Sequence, residues 1–215
     1  MSRNASLLGW AQAVLLGAAM AAFGATSAQA VSIPLDCFTN NLVGDCAIAE
    51  AQITLEVTDL GGGSVDVTIA NAGADALSIA NVYFDGAILS GITAINDDPN
   101  DVVFALGGAP VVLPGGNSLS PPFSVDFLVS AANPAPFRGI NPGESLSLTL
   151  AIADGFDFAD VVAALGSGDL RIGMHAIAFG SGGSESLVTI PEPGSLLLIG
   201  AGLLGLARYG SRRAL

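Results

Sequence analysis

The sequence predicts an all-β fold: an antiparallel β-sandwich of jelly-roll-like type with one short helix. Two observations carry that expectation. Ile53, Leu55 and Val57 alternate with Thr54, Glu56 and Thr58, and Val65, Val67 and Ile69 alternate with Asp66, Thr68 and Ala70. Such period-two alternation places one set of side chains inward and the other outward on a strand. Beyond them, short apolar runs recur between turn-rich stretches such as Pro114-Gly115-Gly116-Asn117 and Asn141-Pro142-Gly143, the spacing of a sandwich. Phe158, Val161, Val162 and Leu165 break the pattern with helical spacing, and Asp157 stands where an N-cap belongs.

From the start, residues 1–30 read as a secretory signal peptide. Arg3 supplies the positive end, Leu7 to Phe23 the apolar run, and Ala28-Gln29-Ala30 a small-x-small cleavage site that leaves Val31 as the new N-terminus. Residues 31–190 then form one extracytoplasmic domain, within single-domain size. Cys37 and Cys46 are the only cysteines, and in an oxidising compartment such a pair most simply forms one disulfide.

The strands follow in order. Asp59-Leu60-Gly61-Gly62-Gly63-Ser64 joins the two alternating runs as a hairpin, since glycine supplies the backbone conformations the loop needs. Further strands are expected at Leu77–Phe84, Ile88–Ile95, Val102–Leu106, Pro110–Leu113, Phe123–Val129, Ser145–Ala153, Leu170–Phe179 and Ser184–Ile190. Helix Phe158–Leu165 falls between Ser145–Ala153 and Leu170–Phe179.

Charge narrows the function. The chain has no lysine, and between residues 31 and 190 two arginines, Arg138 and Arg171, face 18 acidic residues, a formal charge of about −16. Nucleic acid needs a basic footprint, so it is disfavoured as a partner, and so is direct adhesion to anionic lipid. Enzyme motifs fare no better: there is no Walker loop, nucleophile elbow or His-Glu-x-x-His, and the single histidine, His175, sits in a strand pattern. No catalytic residue is assigned, although paired carboxylates are the chemistry of glycoside hydrolysis.

Calcium is the one candidate cofactor. Asp97, Asp98, Asn100 and Asp101 crowd a loop with oxygen ligands, and Asp154, Asp157 and Asp160 recur at every third position. Neither group has EF-hand spacing; a solvated turn and an acidic helix N-terminus are their plain alternatives. A sugar platform would have to come from Tyr83, because Trp10 lies in the leader and Tyr209 in the tail.

The tail, residues 191–215, has three parts in fixed order. Pro191-Glu192-Pro193-Gly194 comes first, then an apolar stretch at 195–207, then Arg208, Arg212 and Arg213. A helix from the middle part would be apolar on every side, so either a deeply buried terminal helix or one in lipid. It would be roughly 20 Å long against a hydrocarbon core of about 30 Å, with Gly194 and Tyr209 extending it. Arginines after such a stretch favour the cytoplasmic side.

This order of parts resembles the PEP-CTERM sorting signal of Gram-negative bacteria, and the resemblance covers about residues 190–213. It implies an exosortase-like membrane enzyme as partner, acting near Pro191, Glu192 and Pro193, with the secretion machinery and the inner membrane upstream of it. The implied route is export, transient anchoring with the domain in the periplasm, then release to the outer surface or exterior, often alongside exopolysaccharide. The expected protein is thus a non-enzymatic envelope or extracellular-matrix component; a polysaccharide-binding or polysaccharide-modifying protein is the alternative.

Overall fold

Alternation at β3 (Ile53–Gly61) and β4 (Ser64–Asn71) becomes a hairpin, with Val57 opposite Val67. Ile53, Leu55, Val57, Val65, Val67 and Ile69 are buried, while the residues between them face outward, as a strand with one wet face requires. The turn runs through Gly61, Gly62 and Gly63 at φ +72, +62 and +76, a region costly for any side chain with a Cβ. The computed structural model describes residues 29–97 and 101–191, Asp97 by its backbone alone.

Two antiparallel sheets share one core. The first has the order β1 (Ala30–Ser32), β3, β4, β9 (Ser145–Ile152), β6 (Leu89–Asp97). The second has the order β2 (Leu35–Cys37), β11 (Glu185–Thr189), β10 (Arg171–Ile177), β5 (Ser78–Asp85), β8 (Phe127–Ala131), β7 (Phe104–Leu106). Leu148, Leu150 and Ile69 of the first sheet join Val82, Phe84, Ile172, Met174 and Leu187 of the second in a single apolar cluster. Phe84 stacks on Phe127 with ring centroids 4.9 Å apart. The all-β, two-sheet expectation therefore agrees with the structure.

Several expectations need correction. Pro110–Leu113 is no strand but part of a strap, residues 107–125, laid across the outer face of the second sheet. Pro110, Pro114, Pro121 and Pro122 lack the N–H that a ladder needs, so this apolar stretch covers a sheet instead of extending it. For the same reason the strand expected from Phe123 begins only at Phe127. Leu113 and Phe123 instead join Tyr83 and Val188 in a second, smaller core.

Among the described residues, the one expected helix is joined by two further α-helices. α3 (Phe158–Ser167) forms where expected: Asp157 and Asp160 make a reciprocal capping box, and Gly168 ends the helix in the left-handed region. α1 (Asp45–Gln52) was not anticipated, although its Ala- and Glu-containing sequence favours helix. A single turn, α2 (Ala135–Arg138), is the third. Among the described residues no helix is long and apolar enough to cross a membrane; the apolar stretch 195–207 and residues 1–28 lie outside them.

Candidate functional site

The junction between domain and tail has a defined geometry. β11 ends at Thr189, which pairs with Leu35 of β2. Its hydroxyl accepts the Ile172 N–H at 3.0 Å. The Ile190 N–H donates to the Pro34 carbonyl at 3.3 Å. Pro191 then lies against Gly168, where an added Cβ would stand 3.2 Å from the proline Cγ. Ile190 also lines a small apolar groove of about 70 Å³ with Val31, Ile33, Pro34 and Leu165. Val31 and Ile190, which adjoin the two expected processing points, thus meet at one end of the domain.

What continues from that end decides its meaning. Residues 189–213 match the PEP-CTERM protein-sorting motif. The match includes Pro191, Glu192, Pro193, Gly194, Arg208, Arg212 and Arg213, and among these Pro191 alone is a described residue. The PEP-CTERM motif implies an exported, membrane-transiting protein with exosortase processing. No curated protein and no solved structure matches the chain. At the other end, Ala30 and Val31 belong to β1, Asp59 N–H bonds to the Gln29 carbonyl at 3.0 Å, and Ala28 lies outside the described residues.

Beside the junction, Cys37 and Cys46 form the expected disulfide. The loop it closes wraps a carboxylate that sequence reasoning missed. Glu185 has no solvent exposure; it accepts the Thr39 hydroxyl at 2.5 Å and the Leu42 N–H at 2.9 Å. Burial alone would raise its pKa, but these bonds, with those from the Asn41 and Asn40 amides, hold it below the usual glutamate value. Glu185 and the two cysteines are the group of potential metal ligands that converges among the described residues. With the sulfurs bonded to each other and the carboxylate occupied by four donors, the group serves as a lock on the loop.

Several of the other sequence candidates have partners of their own. Asp98 and Asn100 lie outside the described residues, as does the side chain of Asp97. Asp101 is paired with Arg138 at 2.7 Å on the surface. Asp157 and Asp160 are engaged in the helix cap. Tyr83 is fully buried with its hydroxyl donating to the Pro110 carbonyl at 3.1 Å, so it is no sugar platform; burial pushes its phenol up. His175 lies in β10, opposite Ser186 and Asn81 in the neighbouring strands. Its Nδ1 has no hydrogen-bond partner, and burial lowers its pKa.

An open cleft of about 360 Å³ lies between the β3–β4 turn and the start of α3, lined by Asp59, Phe156 and Asp157 among others. Phe156 is 51% exposed there. No sequence signal marked Phe156, because it belongs to an irregular turn and its neighbours across the cleft come from another hairpin.

Proposed function

We propose that the chain is an exported, non-enzymatic cell-envelope or extracellular-matrix protein, whose β domain serves as a structural or adhesive component alongside exopolysaccharide. The PEP-CTERM motif carries this reading. In it, Pro191, Glu192 and Pro193 present the processing point, and the stretch 195–207 pauses the chain in the inner membrane. Arg208, Arg212 and Arg213 hold the end on the cytoplasmic side. Residues 1–30 act as the leader. The acidic surface supports solubility outside the cell and repulsion between copies.

Intact mass of the protein from membranes and from cell-free medium, with and without exosortase, tests it. A released form running from Val31 to near Pro193 is expected only where exosortase is present. Glu192→Ala should leave the tail-bearing form in membranes; unchanged release would sink the assignment.

The Phe156 cleft favours a second reading, a polysaccharide-binding or carboxylate-based polysaccharide-modifying domain. An exposed ring beside carboxylate acceptors suits the apolar face and the hydroxyls of a sugar. Loss of retention on exopolysaccharide fragments in Phe156→Ala would support that reading, and unchanged retention would remove it.

A further inference from the structure

Resting on the sorting reading above, we propose that the fold latches the start of the PEP-CTERM motif, so that processing waits for Ile190 and Pro191 to lift off the domain. The motif match begins at residue 189, which is still the last residue of β11. Sorting signal and folded body therefore overlap, with no spacer between them.

Four contacts hold the overlap: the Thr189–Leu35 ladder pair, the Ile172 N–H on the Thr189 hydroxyl, the Ile190 N–H on the Pro34 carbonyl, and Pro191 against Gly168. An enzyme that acts on a peptide commonly engages it as an extended strand through its backbone groups. Here the Ile190 N–H is already committed to the domain. A chain spans at most about 3.5 Å per residue, so the folded end stands within roughly 15 Å of Ser195, where the apolar stretch begins. The processing point thus follows directly on the folded end, where Ile190 and Pro191 rest against Pro34 and Gly168.

Strand ends open locally at far lower cost than the whole fold unfolds. The latch is therefore a gate on the rate, and it holds only in a folded domain. Folding of β2 and β11, which also carry the disulfide loop and its Glu185 anchor, therefore slows release, and a chain in which that edge is unfolded is processed without the delay.

The test uses the full chain in cells carrying exosortase. A short flexible Gly-Ser insert followed by a second Thr-Ile is placed between Ile190 and Pro191. The domain keeps its own Thr189-Ile190, and the motif keeps a Thr-Ile before Pro191. Pulse-chase with intact-mass readout should show conversion about fivefold faster than the parent, the factor by which one backbone hydrogen bond of typical net worth suppresses opening. Equal or slower conversion overturns the latch. Glu192→Ala is run in both backgrounds. If it blocks conversion while the insert changes nothing, the sorting reading stands and the latch falls. If Glu192→Ala converts like the parent, the sorting reading fails and takes the latch with it. Amide exchange gives an independent check: the Ile190 amide should be protected in the parent, and an unprotected amide overturns the latch whatever the processing rate.

Discussion

Arg171 and Asp85 face each other across β10 and β5, and their ion pair pins a segment that belongs to neither strand. The same guanidinium donates to the carbonyls of Pro121 at 2.7 Å and Pro122 at 2.8 Å, and lies 5.1 Å from the Phe123 ring centroid. Asp85 also accepts the Ser124 N–H at 3.0 Å. The strap over the second sheet is thus clamped from below by one pair of charges.

Removing the arginine leaves a mostly buried carboxylate, since the two side chains are only 13% and 16% exposed. Arg171→Ala should therefore lower unfolding free energy by about 3 kcal/mol. Arg171→Lys should recover less than half of that, because an ammonium cannot reproduce the planar fork or its stacking. Urea unfolding decides; a loss below about 1 kcal/mol for Arg171→Ala would make this an ordinary surface pair.

Glu185 should leave a mark on acid stability. Its folded pKa lies below the ordinary value, so the unfolded chain takes up the proton first as pH falls. The contribution is complete above the ordinary glutamate range and is lost as pH drops toward the folded value. Glu185→Gln should cost about 2 kcal/mol at neutral pH. It should also flatten the fall in stability below the unperturbed value of 4.5. Parallel curves for parent and variant through that window would remove the carboxylate from this role.

The disulfide and Glu185 act on the same loop from two sides. Replacing Cys37 and Cys46 by serine should cost about 2–3 kcal/mol on the chain-entropy estimate. Amide protection at Asn40, Asn41 and Leu42 should fall with it, because the loop that presents these donors to Glu185 is no longer closed. Hydrogen exchange measures this directly. Retained protection at all three would mean that Glu185 organises the loop unaided.

The sequence was most legible where burial is one-sided. β3 and β4 alternate because one face is wet, and α3 announces itself through Asp157 and its apolar spacing. β5 is harder: Ile79, Ala80, Val82, Tyr83 and Phe84 are all buried, since the strap covers the outer face. Nothing near Ser78–Asp85 says what that cover is, and the covering Pro110–Leu113 looks locally like a strand. α1 is capped by Gly44, which has no side chain to bond the first turn, so only the acidic Asp45 hints at its start. Glu185 could not be singled out, because the Thr39 that explains it lies 146 residues away. The tail was readable without any fold, since its meaning lies in the order of its chemical parts.

Gly173 supplies the sharpest test of the strap. A Cβ there would fall 2.7 Å from Leu113 Cδ2 and 3.2 Å from Phe123 Cζ, so alanine must displace the Leu113 methyl and crowd the Phe123 ring by a few tenths of an ångström. Overpacking of this kind costs about 1–3 kcal/mol. The main core lies on the other face of β10 and should not feel the change, so the cost should come from the strap alone. Arg171→Ala loosens the same segment by removing its clamp. If both substitutions act through the strap, the double variant should lose at least about 1 kcal/mol less than the sum of the single losses. Full additivity in a double-mutant cycle would mean that Gly173 and Arg171 hold separate parts of the structure.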